Sequence, residues 1–78
     1  MRAEQVLEFV AKQLVDDPDA VEVDVIEEDR TTVLELRVAD DDKGKVIGKR
    51  GRTAKALRTL VKAAAALDDE NVQVEIVD

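Results

Sequence analysis

Three stretches of the chain carry apolar residues at every second position, and all of its glycines fall in the gap between the second stretch and the third. The stretches are Val21-Glu-Val-Asp-Val25, Thr32 to Val38, and Val72-Gln-Val-Glu-Ile76. Alternation puts every second side chain on one face, so each reads as a half-buried strand. The polar turn Glu27-Glu28-Asp29-Arg30 joins the first two as an antiparallel hairpin. The gap between the second and third holds two helical patterns. A strand that returns through a helical crossover lies parallel to its neighbour, by a right-handed connection.

The remaining elements follow from periodicity. Residues 3 to 15 form a helix with Ala3, Val6, Leu7, Val10 and Leu14 on one side. Asp16-Asp17-Pro18-Asp19 ends it, because the residue before a proline is pushed out of the helical region. Asp40-Asp41-Asp42 precedes a short helix over Lys43 to Ile47 and supplies carboxylates to cap its free N–H groups. A second helix runs from Arg52 to Leu67, with Leu57, Leu60, Val61, Ala64 and Leu67 as its core stripe and Lys55, Arg58 and Lys62 opposite. Asp68-Asp69-Glu70-Asn71 closes it. The order is helix, strand, strand, helix, helix, strand: an α+β fold with a three-stranded mixed sheet. Its middle strand is antiparallel to the first and parallel to the last, and all three helices cover one face.

Composition narrows the chemistry. At 78 residues the chain is one domain with a small, aliphatic core, and Phe9 is its single aromatic residue. It has no Cys, His, Ser, Tyr or Trp. The common nucleophiles and the neutral-pH base are missing, so an enzyme is not expected. Nor are a catalytic residue, a cofactor, a small-molecule substrate or a metal site. No run approaches the roughly 18 apolar residues of a membrane span, and no signal peptide is visible, which together read as a cytoplasmic protein.

Net charge is -7, yet residues 43 to 62 hold eight of the twelve cations and no acid. The rest holds four cations against nineteen acids, a balance of -15. Such segregation marks one polyanion-binding face on a repelling body. Its centre is Gly48-Lys49-Arg50-Gly51. The two glycines permit a tight turn and close backbone approach. The loop lies at the N-terminus of the second helix, where free N–H groups and the positive dipole end favour anions. Lys49 and Arg50 project from it, and the arrangement suits a phosphodiester backbone.

Other readings of the glycines fail on spacing. A P-loop needs four residues between its glycines and a Ser or Thr after the lysine; here there are three, and Arg50 stands in that place. A calcium loop starting at Asp40 would put Gly44 at its fifth position and Gly51 at its twelfth. Gly44-x-x-x-Gly48 is a membrane dimer motif only in apolar surroundings.

Val46-Ile47-Gly48-Lys49-Arg50-Gly51, set between two helices and followed by a strand, resembles the KH domain. The preceding helix and hairpin give the type II order. The longer string from Gly44 to Ala66 is similar to the KhpA family of small bacterial single-KH proteins, over essentially the whole chain. The resemblance implies that Gly48, Lys49, Arg50 and Gly51 clamp about four nucleotides of single-stranded RNA. It implies that Ile47 and Ala54 line an apolar groove for the bases, and that the opposite wall lies near the turn Glu27 to Arg30. One of Val46 and Ile47 plugs the core instead; the pattern leaves both open. Lys45, Arg52, Lys55 and Arg58 supply a secondary basic field. The resemblance further implies a homodimer, or pairing with a second KH protein, KhpB. It also suggests a post-transcriptional or RNA-chaperone role in envelope growth, cell shape, division or translation. The alternative is a protein-interaction module whose basic face docks an acidic partner.

Overall fold

The computed structural model describes residues 1–77. Helix α1 spans Ala3–Leu14, strand β1 Glu22–Glu28, strand β2 Thr31–Arg37, helix α2 Lys43–Ile47, helix α3 Arg52–Leu67 and strand β3 Val72–Ile76. Short 3-10 turns cover Pro18–Ala20, Asp40–Asp42 and Lys49–Gly51. The expected order, α-β-β-α-α-β, is the observed one.

The sheet runs β1-β2-β3. β1 and β2 are antiparallel, with Val23 opposite Leu36 and Val25 opposite Leu34. β2 and β3 are parallel, with Leu34 beside Val74 and Leu36 beside Ile76. The middle strand is therefore central. The face carrying Leu34 and Leu36 meets the helices. Leu7 and Ala11 of α1, Val46 of α2, and Leu57, Val61 and Ala65 of α3 join Leu34, Leu36, Val72 and Val74 in one core. Ala3 and Val21 complete it on the α1 side. The opposite face carries Asp24, Glu35 and Glu75 around the apolar pair Ile26 and Val33.

Five local expectations are corrected. β1 continues to Glu28, because edge-strand pairing is indifferent to side-chain polarity. Only Asp29 and Arg30 remain in the turn, with Asp29 at φ 45°. Val25, at the outer edge of the sheet, is 49% exposed. The buried stripe of α3 is Ala54, Leu57, Val61 and Ala65, whereas Leu60 is 46% and Leu67 88% exposed. Ala64 is half-buried, and Leu14 of α1 is exposed. Small residues let α3 lie close on its neighbours, so the face in contact is the one with alanines rather than the one with most leucines.

The fifth correction concerns Asp42, expected to cap the helix that follows. It makes no cap hydrogen bond to α2. Its buried carboxylate instead accepts the backbone N–H groups of Asp16 at 3.2 Å and Asp17 at 3.0 Å, in the loop after α1.

Candidate nucleic-acid interface

The glycine loop is a backbone construction. α2 stops where the Gly48 N–H donates to the Gly44 carbonyl at 2.8 Å. Gly48 then takes φ 77°, ψ 172°, a region open essentially to glycine alone. A Cβ there would lie 2.7 Å from Thr53 Cβ and 2.9 Å from the Thr53 backbone nitrogen. The loop is thus packed directly on the first turn of α3. Arg50 (φ 60°, ψ 25°) and Gly51 (φ 73°, ψ 15°) follow in the left-handed region. The Gly51 N–H closes the turn on the Gly48 carbonyl at 3.1 Å. α3 starts from Gly51 with no side-chain cap, so its positive dipole end faces the loop.

Lys49 and Arg50 are exposed at the apex, and Arg52 and Lys55 are exposed on the first turn of α3. Among the described residues none of these four makes an ion pair. Arg50 holds a left-handed backbone without being glycine.

Three other residues named from the sequence are placed differently from one another. Val46 is completely buried and Ile47 is 41% exposed, so Val46 plugs the core and Ile47 faces out beside Gly48. Ala54 is only 4% exposed and offers little wall to a groove. The hairpin turn is not the opposite wall. Asp29 and Arg30 share a polar depression with Asp69, Glu70 and Asn71, at the C-terminal end of α3. The glycine loop lies at the other end of that 16-residue helix, about 24 Å away at 1.5 Å per residue. The element bordering the helix instead is β3, paired only with β2. Arg58 reaches across to it: its Nε–H donates to the Val74 carbonyl at 3.3 Å.

Lys45 also has intramolecular partners. Its ammonium pairs with Asp16, and with Asp42 at 3.5 Å. Hydrogen bonding to Asp16 raises its pKa, against an opposing effect of burial, and the charges of Asp16 and Asp42 add to the rise. Burial pushes the Asp42 carboxyl up. The N–H groups of Asp17 and Asp16 and the Lys45 ammonium outweigh this and hold it below the ordinary value. Sequence reasoning missed this cluster, since its partners are 25 and 26 residues apart. Among the described residues no group of three or more His, Cys, Asp or Glu could hold a metal ion, and no helix is long and apolar enough to cross a membrane.

Comparison with known proteins gives one consistent result. The profile of the KhpA/KhpB KH-domain family matches residues 4–76. RNA-binding protein KhpA of Clostridium acetobutylicum is 53% identical over 73 residues, covering 94% of this chain and 97% of that protein. RNA-binding protein KhpA of Borreliella burgdorferi is 51% identical over 74 residues, covering 95% and 90%. Among solved structures, Era in complex with MgGDPNP and nucleotides 1506–1542 of 16S ribosomal RNA superposes with a TM-score of 0.69 at 22% identity. That match covers 95% of this chain but 28% of the Era chain. Era of Aquifex aeolicus gives a TM-score of 0.65 at 21% identity, over 29% of its length. The likeness to Era is one of fold, confined to under a third of that larger protein.

Proposed function

The chain belongs to the KhpA/KhpB KH-domain family, which is not a family of enzymes, and from that premise we propose that it binds single-stranded RNA by clamping the backbone with the loop Gly48 to Gly51. In this reading residues 1–78 are a single KH domain. Gly48 lets the strand approach, and Lys49 and Arg50 neutralise phosphates. Arg52 and Lys55 extend the basic field, and Ile47 gives the bases an apolar contact. Lys45 is committed to Asp16 and Asp42 and serves the fold first. The observation that carries the reading is the pair Lys49 and Arg50, exposed on a left-handed turn that only Gly48 permits, at the dipole-positive end of α3.

Affinity of one loop is low, since it reaches few phosphates and no aromatic side chain is at hand for stacking. Pairing with a second copy, or with a KhpB-like KH protein, raises it by avidity. The apolar strip of Val10, Leu14, Leu57 and Leu60, around an open depression of about 200 Å³, supports such pairing. A cytoplasmic post-transcriptional or RNA-chaperone role follows from the same reading.

The test is a gel shift with single-stranded RNA. Lys49→Asp combined with Arg50→Asp abolishes the shift while the circular dichroism spectrum stays that of the wild type. Undiminished affinity in the double variant overturns the assignment. Sequencing of RNA crosslinked to the protein in cells identifies the targets; recovery of protein partners alone favours a docking module instead.

A further inference from the structure

We propose that Arg58 reads a base of the clamped strand and selects guanine or cytosine. The proposal rests on the RNA-binding reading above and adds to it a specificity that phosphate contacts cannot provide.

Position comes first. Arg58 follows Gly51 by seven residues, two helical turns, and so lies on the face of α3 that continues from the loop. In this proposal a strand held by its phosphates at Lys49 and Arg50 lays its bases along this face, toward β3, which is the edge strand beside α3. Arg58 is exposed there and is fixed to that edge by the bond from its Nε–H to the Val74 carbonyl at 3.3 Å.

The carbonyl it uses belongs to the free side of the strand. The Asn71 carbonyl accepts from Thr32 N–H, and Val77 N–H donates to the Leu36 carbonyl. The odd-numbered positions of β3 therefore turn their backbone groups toward β2. Val72, Val74 and Ile76 turn theirs outward. Arg58 occupies the middle of that outward row.

Geometry then sets the preference. With Nε engaged, the two terminal amino groups remain, and among the described residues they have no carboxylate partner. A guanidinium is planar and presents its donors as a rigid fork, so fixing Nε preorganises the rest. Two parallel donors match a base edge with two adjacent acceptors. Guanine offers O6 and N7, and cytosine offers O2 and N3. Adenine and uracil place a donor beside every acceptor on their pairing edges, and reject the fork. In single-stranded RNA these edges are open.

A residue that only staples α3 to β3, or only adds charge, would leave base preference untouched. The experiment therefore measures preference. Fluorescence anisotropy is recorded for the full chain with an oligouridine of eight nucleotides and with versions carrying one guanine, cytosine or adenine. The wild type binds the guanine or cytosine version about tenfold tighter than the uridine or adenine ones, the discrimination of one good bidentate pair. Arg58→Lys keeps the charge and loses the preference, to within about twofold. Because that variant removes the bond to Val74, a second arm leaves the protein intact. Replacing guanine by 7-deazaguanine, which lacks the N7 acceptor, abolishes a guanine preference in the wild type. Equal binding of all four oligonucleotides by the wild type, or full preference in Arg58→Lys, overturns the role given to Arg58 and leaves RNA binding standing. Failure of the wild type to bind any of them overturns the RNA-binding reading itself.

Discussion

At the scale of the residue, three glycines that look alike in the sequence carry different duties. Gly44 lies within α2 at an ordinary backbone angle, with open space where a Cβ would be. Gly44→Ala therefore stabilises the domain by about 0.5–1 kcal/mol, the ordinary gain of alanine over glycine in a helix. Gly51 has equal space but φ 73°, so Gly51→Ala costs about 1–2 kcal/mol, and Gly51→Asn less. Gly48 has neither freedom: its angles exclude other residues, and a Cβ meets the backbone of Thr53. Gly48→Ala costs roughly 1–3 kcal/mol or more and moves the loop off α3. Urea unfolding of the three alanine variants checks the order, and a Gly48→Ala midpoint at or above that of Gly44→Ala would contradict it. The loop was legible because glycine spacing reports backbone conformation directly. The choice between Val46 and Ile47 was not, because neighbours of equal polarity differ only in how a five-residue helix rolls onto its support. The burial of Ala54 was hidden for a related reason, since the sequence states its size but not how closely α3 approaches.

At the scale of the element, α2 is too short to be stable by itself, so something must hold it where the loop can work. Asp42 does so, joining the start of α2 to the loop after α1 through two N–H groups, with Lys45 bridging back to Asp16 and Asp42. A triple aspartate before a helix reads as a cap in any local scheme; only the tertiary fold brings Asp16 and Asp17 to it. Strand alternation and the glycine break were readable because they are local, whereas this strut is not. Its pH dependence follows from the depressed pKa of Asp42. The folded carboxyl titrates below its ordinary value of 3.8, so its contribution is complete above that value and is lost as pH falls through the lower, folded value. Lys45 has the opposite sign: its pKa is raised, so its contribution holds up to about the ordinary 10.5 and fades as pH rises through the folded value. Between these limits both are constant. Asp42→Asn is therefore less stable than the wild type by a fixed margin near neutrality, and the margin closes on acidification below the ordinary carboxylate value. Chemical unfolding of both proteins across that range measures it; a margin unchanged in strong acid would remove the carboxylate's charge from the account.

At the scale of the whole molecule, the order of elements and the middle-strand topology followed from pattern alone, because crossover rules leave few alternatives for six short elements. The uneven charge was equally visible, but which cations remain free was not. Of the eight in residues 43 to 62, Lys43 pairs with Asp40, Lys45 with Asp16 and Asp42, and Arg58 with Val74. Those next to the glycine loop, Lys49, Arg50, Arg52 and Lys55, have no such partner among the described residues. The exposed Leu60 was likewise hidden by its periodicity, which assigned it to the core. These two facts meet in the salt dependence of RNA binding. One loop that neutralises about three phosphates gives a slope of log K against log salt near -2, at about -0.7 per phosphate for a single strand. Two loops joined through the Leu14–Leu60 strip and engaging one strand release twice the counterions, for a slope near -4. On the pairing proposed above, Leu60→Glu, which places a charge in that strip at a half-exposed position, leaves the chain folded, abolishes pairing in sedimentation, and returns the slope from about -4 to about -2. Titrations of a long single-stranded RNA at several potassium chloride concentrations, for wild type and Leu60→Glu, give both numbers. Equal slopes near -2 mean that each loop acts alone, and a flat response in both means that phosphate is not what the clamp holds.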